Sequence, residues 1–273
     1  MNDRYAVFGN PIAHSKSPLI HTLFAEHAKQ NLSYTSQHVE EDGFFLAAQQ
    51  FFEAGGRGLN ITLPFKQIAF EYADITTERA TIAGAVNTLL VDKKGNIVGD
   101  NTDGIGLAND LLNNLGWQIK AKRLLVLGAG GAVRGILQSL LAHHPQHIVI
   151  ANRSVDKALS LSKQFAESGY VLGCGLDMLA GQEFDIIING TSIALSGGNL
   201  DLPDTLLLSP NSSCYDLMYG ADPSAFLTWA AQRGAQVSDG LGMLVEQAAE
   251  SFYLWRGVKP STQGVIDALR RTL

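Results

Sequence analysis

A run of small residues closes an apolar stretch at Leu124-Leu125-Val126-Leu127-Gly128-Ala129-Gly130-Gly131-Ala132-Val133. Glycines after an apolar strand permit a tight turn, and the free N–H groups of the helix that follows favour an anionic pyrophosphate. Val133 stands where the six-residue dinucleotide fingerprint usually has Gly or Ala, so Gly131 and Ala132 are expected to provide the close packing instead. The next strand predicts which nucleotide binds. It ends in Asn152-Arg153-Ser154, with Lys157 one helical turn on, and has no carboxylate to accept from a ribose 2′-hydroxyl. Two cations at a helix start oppose the helix dipole but suit a 2′-phosphate, which points to NADP rather than NAD. Asn152 and Ser154 add hydrogen-bonding groups.

A second set of polar residues lies nearer the N-terminus. Lys66 follows the strand end Asn60-Ile61-Thr62-Leu63-Pro64-Phe65. Asn87-Thr88 and Asp100-Asn101-Thr102-Asp103-Gly104 put short polar side chains at turns, and Gly9–Pro18 is a loop carrying Ser15 and Ser17. A lysine and a carboxylate together can move a proton at a carbonyl or hydroxyl oxygen. Each residue also has a plainer reading: Asp103 as a helix cap, and Ser17 as the N-cap of a helix with Pro18 at its first position.

Alternating short β-rich and longer amphipathic segments must position these residues. Strands are predicted at 5–9, 34–39 and 58–62, with helices from Ser17, with Leu19, Ile20, Leu23, Phe24 and His27 on one face, and over 43–54. Thr88–Asp92 and Asn96–Gly99 read as a hairpin, and Gly104–Leu115 as a helix. A second β/α series has strands at 124–127, 147–151, 170–173, 184–189, 213–217 and 235–237, with helices at 131–143 and 154–167. Continuous apolar strands between helices predict a parallel sheet covered on both faces. Two helices, 242–256 and 261–273, end the chain.

The 273 residues suggest two domains at about 150 residues each. Hydrophobic residues at 46% exclude a largely disordered chain. A net charge of −6 argues against a general grip on nucleic acid. Two cysteines 40 positions apart, with no CxxC or HExxH, predict neither a disulfide framework nor a structural metal. Met1-Asn2-Asp3-Arg4-Tyr5 leads into no apolar signal core, and no uncharged stretch reaches about 18 residues, so a cytoplasmic protein without a membrane span is expected.

Across essentially its whole length the sequence resembles the shikimate dehydrogenase family. The resemblance is carried by Gly9–Pro18, Asn60–Lys66, Ala83–Thr88, Gly99–Gly104, Gly128–Ala132, Asn152-Arg153-Ser154, Asn189-Gly190-Thr191-Ser192 and Asp239–Ala248. It implies an α/β substrate-binding domain (1–103), a Rossmann NADP-binding domain (104–240) and C-terminal helices returning to the first (241–273), with the active site between the two domains. The implied reaction is the reduction of 3-dehydroshikimate to shikimate with NADPH. By motif, Lys66 is the catalytic lysine and Asp103 its partner. Ser15, Ser17, Thr62, Asn87 and Gln247 hold the substrate, with Asn60 and Tyr219 as further contacts. Gly128, Ala129, Gly130, Gly131 and Ala132 form the phosphate turn, and Asn152, Arg153, Ser154 and Lys157 the 2′-phosphate segment. Glu78, Thr191, Leu217 and Gly240 fall at cofactor-proximal positions. Ser154 and Lys157 replace the family's usual Thr and Arg, and lysine lacks the planar fork that makes arginine selective for phosphate. Two other readings are a quinate/shikimate dehydrogenase using NAD or both cofactors, and a non-catalytic nucleotide-sensing module. Monomer and homodimer both remain open.

Overall fold

The computed structural model describes residues 2–191 and 201–273. The chain divides into two compact units: Met1–Gly106 with Val245–Leu269, and Leu107–Leu244 with Arg270–Leu273.

The first unit is built on a six-stranded mixed sheet. Its strands are β1 (Asp3–Gly9), β2 (Leu32–His38), β3 (Gly56–Ile61), β4 (Ile75–Thr76), β5 (Thr88–Val91) and β6 (Ile97–Asp100), in the order β2-β1-β3-β5-β6-β4. The strands β1, β2 and β3 run parallel, and β5 and β6 form the antiparallel hairpin. Both faces of β1 are buried. Ala6 and Phe8 pack with Leu59, Ile61, Phe44 and Phe65, while Tyr5 and Val7 pack with Ile12, Tyr34 and Trp255. Burying each such large side chain contributes about 1.5–3 kcal/mol. Helices α1 (Ser17–His27), α2 (Phe44–Glu53), α3 (Lys66–Tyr72) and α4 (Glu78–Ala83) cover the sheet, and the final helix α10 (Gln263–Arg270) lies largely in this unit.

Helix α1 departs from expectation in two ways. Its N-cap is Lys16, not Ser17, and Ser17 is instead buried within the first turn. Its inward face is Ser17, Ile20, His21, Phe24 and Ala25, whereas Leu19 and His27 are exposed. The polar His21 took the core position that an apolar count assigns to a neighbour.

The second unit holds a six-stranded sheet in which every pairing is parallel. Its strands are β7 (Arg123–Leu127), β8 (His147–Ala151), β9 (Val171–Cys174), β10 (Glu183–Asn189), β11 (Leu207–Asp216) and β12 (Gln236–Asp239), in the order β12-β11-β10-β7-β8-β9. That is the doubly wound Rossmann order, which reverses between β7 and β10. Helices α6 (Gly131–Ala142), α7 (Val155–Gln164) and α8 (Ala225–Gln232) connect strands. Helix α5 (Asp103–Asn109) passes from the first unit into the second and runs on as a π-helical turn, Asp110–Asn114, where a continuous α-helix was expected. Helix α9 (Leu241–Arg256) leads back. Among the described residues, no helix is long and apolar enough to cross a membrane, and no group of His, Cys, Asp and Glu could hold a metal ion.

Candidate active site

Lys66 opens α3 just beyond the end of β3, and Asp103 opens α5 just beyond β6. Their side chains meet: Lys66 Nζ lies 2.5 Å from Asp103 Oδ2. The lysine side chain is 27% exposed and the aspartate 10%, so the pair is sheltered yet reachable. The other carboxylate oxygen, Oδ1, accepts from Asn87 Nδ2 at 2.8 Å. The Asn87 amide is oriented by the Thr102 backbone N–H, which donates to its Oδ1 at 2.9 Å. Gln247, from α9, accepts from Asn87 Nδ2 at 3.3 Å. An ammonium and a carboxylate so held can deliver or accept a proton at an oxygen placed against the amine.

The loop that presents Asp103 is clamped from behind. Arg79 grips both Asp100 oxygens at 2.6 Å, and Thr77 Oγ1 and the Asn101 N–H also donate to that carboxylate. Burial pushes the Asp100 carboxyl up, but Arg79 and these bonds outweigh it and hold its pKa below the usual range. Arg79 was not singled out in the sequence, and Asp100 stood out only as a polar residue at a turn. A charged pair 21 positions apart gives no local signal.

Ser15 Oγ accepts from the Ser17 N–H at 3.3 Å, which satisfies one of the free donors at the start of α1. Thr62 is half-buried, and its methyl fills the space beside Gly9, where a Cβ would lie 2.5 Å away. Asn60 is held on every side by protein groups. It is 6% exposed, its Oδ1 accepts from Tyr34 and His21, and its Nδ2 donates to Asn87 O, Thr88 and Ser251. The capacity of this amide is spent on protein partners, so it supports the site from beneath.

In the second unit the turn after β7 lies where the strand order reverses. Gly128 has φ +103°, a conformation open to glycine, and its N–H donates to Ala151 O. Gly130 is the N-cap of α6 with no side chain to cap it, and nothing lies within 4 Å of where a Cβ on Gly130 or Gly131 would sit. A cavity of about 290 Å³ is bounded by this turn and by Asn152, Arg153, Ser154, Lys157 and Thr191. Neither Arg153 nor Lys157 forms an ion pair among the described residues. Ser154 begins α7 without a side-chain cap, and Asn152 Nδ2 donates to its carbonyl. Among the described residues, no carboxylate borders the cavity. Open backbone N–H groups with two cations and no acid fit a dinucleotide carrying an extra phosphate.

The expected packing role of Gly131 and Ala132 is not found, since both are exposed. Val133 is fully buried and faces Gly190, where a Cβ would lie 2.5 Å from Val133 Cγ2. The small residue that the fingerprint asks for in the helix is supplied by the loop after β10. Gly240 likewise lies against Leu217, whose carbonyl oxygen would be 2.2 Å from a Cβ there.

Residues 7–89 match the shikimate dehydrogenase substrate binding domain, residues 107–195 match shikimate / quinate 5-dehydrogenase, and residues 240–270 match the shikimate 5′-dehydrogenase C-terminal domain. The chain is 58% identical to a shikimate dehydrogenase (NADP(+)) of Cellvibrio japonicus, over 100% of this chain and 99% of the other. The chain belongs to the shikimate dehydrogenase family. Solved structures similar to it include an Ael1 enzyme from Pseudomonas putida, at TM-score 0.92 and 46% identity over 98% of both chains. Another is shikimate 5-dehydrogenase from Thermus thermophilus in complex with NADP(H) and shikimate, at TM-score 0.88 and 32% identity over 99% of this chain and 100% of that one.

Glu78 and Tyr219, also taken from the shikimate dehydrogenase motifs, lie one in each unit. Glu78 is exposed in the first turn of α4, in the unit that does not carry the phosphate turn. Tyr219 is in the second unit, half-buried, its phenol pKa raised by burial and by Asp239. Ser192 lies outside the described residues. Three residues missed in the sequence, His21, Tyr34 and Ser251, line up with Thr88 beneath Asn60 and Asn87. His21 sits one turn after Ser17, and Ser251 one turn after Gln247, so helical spacing could have found both.

Proposed function

We infer that this chain catalyses the reversible NADPH-dependent reduction of 3-dehydroshikimate to shikimate, a step toward chorismate and the aromatic amino acids. The observation that carries the reading is the Lys66–Asp103 pair at 2.5 Å, in a chain 58% identical over its length to a shikimate dehydrogenase (NADP(+)). Residues 1–103 and 241–273 serve the substrate, and residues 104–240 serve NADP. Gly128–Ala132 would hold the pyrophosphate, and Arg153 and Lys157 the 2′-phosphate, with Asn152, Ser154, Thr191, Leu217 and Gly240 alongside. When bound, the nicotinamide supplies the hydride to the ketone carbon or takes it back.

As reduction proceeds, negative charge grows on the ketone oxygen. Lys66, as an ammonium, stabilises that charge and gives up its proton; in the oxidation direction the neutral amine takes the hydroxyl proton. Asp103 aims the amine, and Asn87 holds Asp103 through its other oxygen. Ser15, Ser17, Thr62, Asn87 and Gln247 recognise the carboxylate and hydroxyls of the ring acid. A site built for a hydroxyl rejects an analogue without it by orders of magnitude. Two unpaired thiols support a cytoplasmic setting. The test is direct: shikimate with NADP⁺ and the purified chain should produce the absorbance of reduced nicotinamide. A flat trace at saturating concentrations of both contradicts the reading.

A further inference from the structure

Beneath the candidate catalytic pair runs a closed set of buried hydrogen bonds that ends on a histidine. Asn87, which holds Asp103, accepts at Oδ1 from Thr88 Oγ1 at 2.8 Å as well as from Thr102 N. Thr88 and Ser251 both accept from Asn60 Nδ2, at 3.2 and 3.0 Å. Thr88 and Ser251 also pair with each other at 2.7 Å, and their protons reach Asn87 Oδ1 at 2.8 Å and Gln247 O at 3.1 Å. These directions hold only while Asn60 turns its NH₂ toward the two hydroxyls. The Asn87 carbonyl, which accepts from Asn60 Nδ2 at 3.3 Å, favours that orientation from one end, and a donor at the other end secures it.

Two groups meet Asn60 Oδ1: Tyr34 OH at 2.7 Å and His21 Nε2 at 3.1 Å. A hydroxyl can donate or accept and selects neither orientation. The imidazole can select. His21 is fully buried, and its Nδ1 has no hydrogen-bond partner. Burial lowers its pKa to about 3, against the opposing bond to Asn60, so the ring is neutral at pH 7 with one proton to place. On Nδ1 that proton would be a buried N–H donor without an acceptor, which folded proteins rarely tolerate. It therefore sits on Nε2, and Asn60 must offer its oxygen. The ring stacks on Tyr34 (centroids 4.2 Å apart, planes at 7°) and touches Phe24, Phe252 and Trp255. A phenylalanine would fill this box with no orphaned nitrogen.

We propose that His21 is a positioning residue for this reaction: by donating from Nε2 it fixes the Asn60 amide and, through Thr88 and Ser251, the groups that hold Asn87 and Gln247 in the substrate site. The inference rests on the shikimate dehydrogenase reading above. It is tested by steady-state kinetics of wild type, His21→Phe and His21→Gln. The phenylalanine keeps the stack and removes the donor; the glutamine can return an N–H close to the Nε2 position. His21→Phe should lower kcat/KM for shikimate roughly tenfold, with KM for NADP⁺ unchanged, and His21→Gln should stay within about threefold of wild type. A His21→Phe enzyme equal to wild type, or a glutamine variant no better than the phenylalanine one, overturns the inference. If His21→Phe does not fold, ¹⁵N-histidine NMR of the wild-type protein decides: a neutral Nε2–H tautomer at pH 7 sustains it, and Nδ1–H or an imidazolium overturns it. A wild-type chain inactive with shikimate overturns the parent reading and this inference together; an active wild type with indifferent variants overturns this one alone.

Discussion

In the first unit, Asn60, Asn87, Asp100 and Asp103 are each bound by two or more protein groups, and all are nearly buried. In the second, the phosphate turn presents backbone on open space, and Arg153 and Lys157 stand exposed beside it. On the proposed reading both regions handle a polar molecule, the first with side chains fixed in advance by one another, and the second with strand ends and a helix start. The contrast follows from what each must do. Moving a proton demands an amine and a carboxylate held within tenths of an ångström. Gripping phosphates needs N–H groups and positive charge near the right place. Substitutions in the first region should therefore propagate and combine non-additively, while those in the second should act locally on cofactor affinity.

The comparison breaks most visibly at Asp103. Asp103→Asn keeps the shape and removes the charge that aims Lys66; kcat should fall about 10²–10³-fold, with KM for NADP⁺ little moved, in steady-state assays. Unchanged turnover would mean the pair is structural only. Next comes the charge at the second site. Arg153→Ala with Lys157→Ala should raise KM for NADP⁺ roughly ten- to a hundredfold and leave that for NAD⁺ within about twofold. Equal losses with both cofactors would remove the 2′-phosphate assignment. Running the same pair of cofactors against shikimate and quinate also separates this reading from a dual-specificity enzyme.

A smaller effect is expected at Gly190. An alanine there would push on Val133 and cost about 1–3 kcal/mol, read as a lower Tm; adding Val133→Ala should recover part of it. A Gly190→Ala protein as stable as wild type would mean that the helix and loop are not in close packing. The last effect concerns pH. The His21 pKa is about 3 when folded, against 6.5 for a free imidazole, so the unfolded chain takes up the extra proton as pH falls. The contribution to stability is complete above pH 6.5 and declines toward pH 3, at about 1.4 kcal/mol per pH unit within that window. Thermal melts between about pH 7 and 4.5 should show a flatter decline for His21→Phe than for wild type.

The second unit was the more legible of the two. Leu124–Leu127, Ile148–Ala151 and Ile186–Ile188 are apolar throughout because both faces of their strands are buried, and the turn after Leu127 announces itself by its glycines. What stayed hidden there was Gly190, whose packing with Val133 joins residues 57 positions apart in sequence. In the first unit, Lys66 and Asp103 stood out by type and place, but their meeting depends on the register of β3, β5 and β6. Helix α4, six residues long, gives too little periodicity to read, and α8 is apolar on most faces. The capping role expected of Ser17 is not found, and Asn60 is bonded throughout by protein groups. A polar residue in the core looks the same in sequence as one that faces a ligand, and only its partners tell them apart.

The most direct test of the division of labour measures turnover and shikimate affinity on one preparation of Lys66→Met. The account predicts that shikimate still binds within about tenfold of wild type while kcat falls at least about a hundredfold. Turnover close to wild type in that variant would contradict it.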